Sequence, residues 1–133
     1  NERKRMLMHE IRLKRVYEVP SPDDGVRVLV DRLWPRGIRK ADLPYDAWPK
    51  EITPSPELRK LYHRGEMPFA GFREGYAEEL EASEGAAAFA ERCRKWLETQ
   101  DVTLLYAAKN QQENHAQVLA AWLRQKSGAE GGA

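Results

Sequence analysis

The chain has 133 residues, 41% hydrophobic and 32% charged, which is enough for one buried core and too little for two. Its 22 Lys and Arg stand against 21 Asp and Glu, a formal charge of +1, and this excludes the basic excess of a protein that grips duplex DNA by its phosphates. No apolar run approaches the roughly 20 residues of a membrane span, no secretory signal pattern is present, and the lone cysteine, Cys93, excludes a disulfide within the chain. A cytoplasmic protein is expected.

In chain order, the basic start NERKRMLMHE predicts a disordered lead-in over 1–10. Ile11 to Val19 alternates, with Ile11, Leu13 and Tyr17 on one side and Arg12 and Lys14 on the other. That pattern predicts a half-exposed, edge-like strand. The turn formers of PSPDDG lead into a second strand, VRVLVD. Its run Val28-Leu29-Val30 does not alternate, which predicts burial on both faces.

Pro44, Pro49 and Pro54 exclude a long regular element before Ser55, which reads as a helix N-cap with Pro56 at the first helical position. A short helix to about Tyr62 follows, closed by Gly65. Phe69, Phe72, Tyr76 and Leu80 recur at helical spacing, and Ala86, Phe89, Ala90, Cys93 and Leu97 repeat the pattern. On that stripe Cys93 reads as a small buried hydrophobe. VTLLYA, from Val102, predicts a third strand, apolar on both sides. Asn110 to Glu113, NQQE, resembles a capping box that opens the last helix, whose stripe is His115, Val118, Leu119, Trp122 and Leu123. The end, residues 126–133, predicts a flexible tail.

Buried strands separated by helices predict one α/β domain over 11–125, three-layer-like, with a small, mostly parallel sheet and four to five helices. In such sheets ligands bind beyond the carboxyl ends of the strands. Two segments sit there, DRLWPRG after Val30 and YAAKNQQENHA after Leu105. Parallel neighbouring strands would bring Asp31, Arg32, Trp34 and Arg36 to Lys109, Asn110, Asn114 and His115. Arg32 and Arg36 suit a bidentate clamp on phosphate or carboxylate, and Lys109 adds charge beside a helix start. Trp34 suits stacking on a flat ring. Asp31 and His115 are the candidates to move a proton.

Each residue has a structural reading too. Asp31 and Arg32 are able to fix a loop, Trp34 to cover the core edge, Asn110 to act only as a cap, and His115 to sit satisfied in the core. The scattered His9, His63 and His115 form no metal-ligand grouping, and no cofactor motif appears. Three functions compete: a small-molecule enzyme acting on a phosphorylated or nucleotide-like substrate, a ligand-sensing module without chemistry, and an RNA- or protein-binding domain using Arg32, Trp34, Arg36, Arg39 and Lys40. A concave site joining Asp31, Arg36 and His115 favours the first two; a convex patch favours the third. The oligomeric state is not legible.

Three motifs in one order, VLVDRLWPRG from Val28, EITPSPELR from Glu51 and TLLYAAKNQQENHA from Thr103, resemble the YeaO-like branch of the domain of unknown function 488 family. The resemblance spans about Ile11 to Leu123. It implies a single α/β domain and a cytoplasmic bacterial protein, and it supplies no activity. Wider members of that family carry a Cys-His-Arg run where this chain has Asn114-His115-Ala116. The histidine matches and the cysteine does not, so a cysteine-based chemistry does not transfer.

Overall fold

A computed structural model describes residues 9–131. Four parallel strands, β1 (Glu10–Arg15), β2 (Val26–Leu29), β3 (Val102–Tyr106) and β4 (Glu130–Gly131), form one sheet in the order β2-β3-β1-β4. Four helices follow the second strand or the third: α1 (Pro56–His63), α2 (Phe69–Ala82), α3 (Glu84–Trp96) and α4 (His115–Ser127). The chain is a single α/β domain with a small parallel sheet, as expected.

Local chemistry sets the helix ends. The Ser55 hydroxyl accepts from the Leu58 amide, and Pro56 occupies the first turn, where its missing N–H costs nothing. Ser83 ends α2 and at once caps α3, accepting from the Ala86 amide at 3.0 Å. Gly128 closes α4 in the left-handed conformation, at φ 76°. Phe72, Tyr76 and Leu80 of α2, Phe89 and Cys93 of α3, and Leu119 and Leu123 of α4 are buried together against Ile11, Val28 and Leu104 of the sheet. Periodicity thus built one continuous core on one face.

The other face differs from a three-layer sandwich of helices. Here the covering layer is the irregular segment 31–49. Leu43, half-buried Trp34, Ile38 and Trp48 pack on Leu29, Leu105 and Val16. Toward the amino end of the strands this face is polar yet buried. Asp24 receives the Arg27 guanidinium, the Lys14 ammonium at 2.9 Å and the Ser21 amide at 3.0 Å. Arg27 also donates to the Pro44 carbonyl, and Thr103 donates to the Asp24 carbonyl, both at 2.7 Å. Gly25 joins this turn to β2 with φ 66°, and a Cβ there would lie 2.0 Å from the Asp101 carbonyl oxygen, so no other residue fits.

Four expectations are corrected. β1 ends at Arg15, and Tyr17, placed on its apolar side, is exposed, because Glu18 turns the chain back onto Arg15. β1 is also not an edge strand over its whole length: it lies between β3 and β4, and its alternation separates the helical face from the polar one. The last helix starts at His115, not at Asn110, with Asn114 as its cap. Residues 126–131 supply the end of α4 and a strand paired with Glu10 and Ile11, so ordered structure passes the expected boundaries at both ends. Of the expected lead-in over 1–10, residues 1–8 lie outside the described residues.

Two predictions follow from this packing. Burial pushes the Asp24 carboxyl up, but the Ser21 amide, Lys14 and Arg27 outweigh it and hold its pKa below the usual carboxylate value. The unfolded chain therefore binds the extra proton, and the stabilisation present above about pH 4 is lost as pH falls further. Asp24→Asn should cost about 3–5 kcal/mol at neutral pH by leaving the buried Arg27 and the half-buried Lys14 uncompensated. It should also flatten the acid limb, as denaturant titrations across pH 2–7 would measure. Cys93 is fully buried, and burial pushes its thiol up to about 12. Native protein should resist alkylation at pH 8 over hours, and Cys93→Ala should lower stability by roughly 1 kcal/mol.

Candidate functional site

β2 and β3 are adjacent and parallel, so both strand exits leave at the same end of the sheet. The Val30 amide donates to the Leu105 carbonyl at 3.0 Å, the last backbone rung between them. Beyond it the backbones part, and Asp31 spans the gap by accepting from the Ala107 amide at 3.1 Å. Its carbonyl oxygen accepts from the Trp48 indole at 2.7 Å. Its other carboxylate oxygen lies 3.0 Å from Nε2 of His115, the first residue of α4. Both atoms are buried and neither makes a well-aligned hydrogen bond, so a small rotation of the imidazole decides whether they bond.

The parted exits enclose a cleft of about 560 Å³, and all eight residues singled out from the sequence line it. Arg32, Arg36 and Lys109 are exposed, and no acceptor holds their side chains among the described residues. Arg36 sits between buried Pro35 and Gly37, whose φ is 78°, and its carbonyl accepts from the Tyr17 hydroxyl at 3.2 Å. The backbone there is fixed while the guanidinium is left open.

The remaining residues are partly engaged in the fold. Trp34 donates to the Ile38 carbonyl at 2.6 Å and meets Tyr45 and Trp48 edge-on, at 5.9 and 5.7 Å between ring centres. It covers the core edge and walls the cleft with what remains. Asn114 is buried, and both ends of its amide are used: it caps α4 through the Gln117 amide at 2.9 Å and donates to the Asn110 carbonyl at 2.7 Å. Its place in the lining is structural. Asn110 accepts from the Gln112 and Glu113 amides at 3.0 and 2.9 Å, forming a turn one step ahead of the helix.

Sequence reading missed the wall opposite. Arg59, Tyr62 and His63 of α1 face the cleft, with buried Phe72 behind them. Tyr62 stacks on Phe72 at 4.7 Å and donates to the Glu113 carbonyl at 3.3 Å; Arg59 donates to the Pro54 carbonyl at 3.1 Å. Burial, then the nearby Glu113, holds the Tyr62 phenol above its usual pKa, so it remains a donor. The signal was the spacing of the three residues, at i, i+3 and i+4 on a short helix, which places them on one face. Among the described residues no His, Cys, Asp and Glu side chains group closely enough to hold a metal ion, and no helix is long and apolar enough to cross a membrane.

Comparison with known proteins agrees with the three motifs. The chain is 53% identical to the uncharacterized protein YeaO of Escherichia coli over 114 residues, covering 86% of this chain and 96% of that one. It is 47% identical over 113 residues to the uncharacterized proteins Mb3100c of Mycobacterium bovis and Rv3073c of Mycobacterium tuberculosis, covering 85% of this chain and 92% of each. No solved structure matches. The family described as the inactive DUF488-N3 subclade matches residues 10–132, and the chain belongs to it.

Proposed function

We propose that the protein is a cytoplasmic binding module for a small anionic, nucleotide-like ligand held in the cleft at the carboxyl end of the sheet. One observation carries this reading: Arg32, Arg36 and Lys109 converge on a single concavity, and no acceptor among the described residues uses their side chains. A guanidinium engaged in the fold has a carbonyl or carboxylate against it, as Arg15, Arg27 and Arg59 do. Two open guanidiniums suit the oxygens of a phosphate, and Lys109 adds a point charge in the same cleft. Tyr62 supplies an aromatic surface for a ring. The site is concave, which favours a small molecule over the convex basic-aromatic patch of an RNA- or protein-binding domain. The near-neutral charge gives no broad footprint for duplex DNA.

Binding without chemistry is favoured by position 114. Where wider family members carry a cysteine, this chain has an asparagine whose amide is engaged at both ends, capping α4 with its oxygen and donating to the Asn110 carbonyl. The subclade's description as inactive agrees with that. The Asp31–His115 pair keeps an enzymatic reading alive, because two such groups 3.0 Å apart are able to pass a proton.

Thermal melts of wild type and Arg36→Ala, with and without a panel of nucleotides and sugar phosphates, test the proposal. Equal midpoints are expected without ligand, and a ligand-induced rise in wild type that the variant lacks. The lost charge-assisted bonds should cost on the order of 1.5–3 kcal/mol of binding, about ten- to hundred-fold in Kd. A variant that melts far lower on its own, with no panel member raising the wild-type midpoint, would make Arg36 structural. Mass spectrometry of each bound panel member after prolonged incubation should recover it unchanged; turnover that His115→Gln abolishes would install the enzymatic reading instead.

A further inference from the structure

The cleft does not end at Arg32. A second concavity of about 770 Å³ adjoins it, between segment 50–56 and the face of α2 that carries Glu79 and Leu80. The two share Arg32, Leu33, Thr53 and Pro54 as a common rim. At that rim Leu33 is 75% exposed, which no core role accounts for. Each concavity alone is within the several hundred cubic ångströms that hold one small ligand. A compact anion seated at Arg36 and Lys109 therefore leaves the second one empty.

The chemistry changes along this groove. The inner part carries Arg36, Arg59 and Lys109 beside the carboxylates of Asp31 and Glu113. The outer part carries two carboxylates, Glu51 and Glu79, the hydroxyls of Ser55 and Ser83, and one cation of its own, Lys50, whose ammonium is taken up over the Trp48 ring. Glu79 accepts from the Ser55 amide through one oxygen at 2.9 Å, which fixes the carboxylate and leaves its other oxygen as an acceptor. Ser55 and Ser83 accept backbone amides as helix caps, so each O–H remains a donor. A fixed acceptor at Glu79 and an exposed one at Glu51, beside free hydroxyl donors, match a group rich in hydroxyls. They do not match more phosphate, which the carboxylates repel; a continuing nucleic-acid strand is thereby disfavoured. Arg32, exposed and without an acceptor among the described residues, stands where the two parts meet.

We infer that the ligand is bipartite: a nucleotide whose phosphates run from Arg36 and Lys109 to Arg32, carrying a hydroxyl-rich group that lies in the outer concavity. A nucleoside diphosphate esterified to a sugar has this form. The inference rests on the anion-binding reading above and adds the outer half.

Titration calorimetry with two probe pairs, uridine diphosphate against uridine diphosphate glucose and adenosine diphosphate against adenosine diphosphate glucose, separates the two claims. In at least one pair the sugar-bearing probe should bind ten-fold or more tightly than its bare diphosphate. Glu79→Gln, which keeps an acceptor for Ser55, should remove most of that gain and change bare diphosphate affinity by less than two-fold. Glu51→Gln, on an exposed side chain, should reduce the gain in the same direction and serves if Glu79→Gln melts early. Arg32→Ala should weaken both probes. Equal affinity within each pair, or tighter binding of the bare diphosphate, would overturn the bipartite ligand while leaving the inner site intact. Binding of none of the four would overturn both.

Discussion

The geometry of the cleft depends on one carboxylate placed where two backbones separate. Parallel strands that diverge leave amides without partners, and a buried unpaired amide is costly. Asp31 removes that cost by taking the Ala107 amide with its side chain, so that the exits of β2 and β3 part without breaking the hydrogen-bond count. The same residue receives the Trp48 indole through its carbonyl and faces His115 at the start of α4. Four segments are thus referenced to one residue: two strand exits, the aromatic loop and the last helix. A concavity bounded by those segments has a fixed floor, which is what a pre-organised site requires.

The irregular segment 31–49 has two tasks that pull in different directions. It must bury Leu29 and Leu105 without a helix to do so, and it must present cations to solvent. Aromatic residues reconcile these demands, because each covers a large area with few rotatable bonds. Trp34, Tyr45 and Trp48 lock edge to face in a triangle, and the Lys50 ammonium lies 4.0 Å from the Trp48 ring. Pro35 and Arg36 are carried on that triangle. Stability of the second face and aim of the arginine are therefore the same property, and a change at Trp34 acts on both.

How much of this was legible follows from the range of each signal. Helices α1, α2 and α3 were readable because capping and 3.6-residue spacing are local, and Ser55 acts within three residues of itself. The two strand exits were readable because Asp31 and Lys109 interrupt doubly buried runs. Arg27 was not recognised as buried, since Asp24 alone is near it in sequence, while the Pro44 carbonyl that it also meets and the Lys14 ammonium that shares Asp24 are brought in from other segments. Asn110 and Asn114 offer the same side chain four residues apart, and both do cap-like work; which one opens the helix is decided by the turn that Asn110 makes first. Arg59 and Tyr62 belong to the cleft only because the β2–β3 connection, which contains α1, folds back over the strand exits. Strand β4 has two residues, too few for any periodicity to show.

That short strand fixes the relation of two distant points in the chain. Glu10 and Glu130 are register partners in parallel strands, so residues 10 and 130 lie side by side at the amino end of the sheet. The cleft lies at the carboxyl end, a strand length of roughly 16–20 Å away. Anything attached before residue 10 or after residue 131 therefore begins on the far side from the open arginines. A surface tether that starts beside residue 10 or residue 131 would therefore hold the domain by the end of the sheet opposite the cleft.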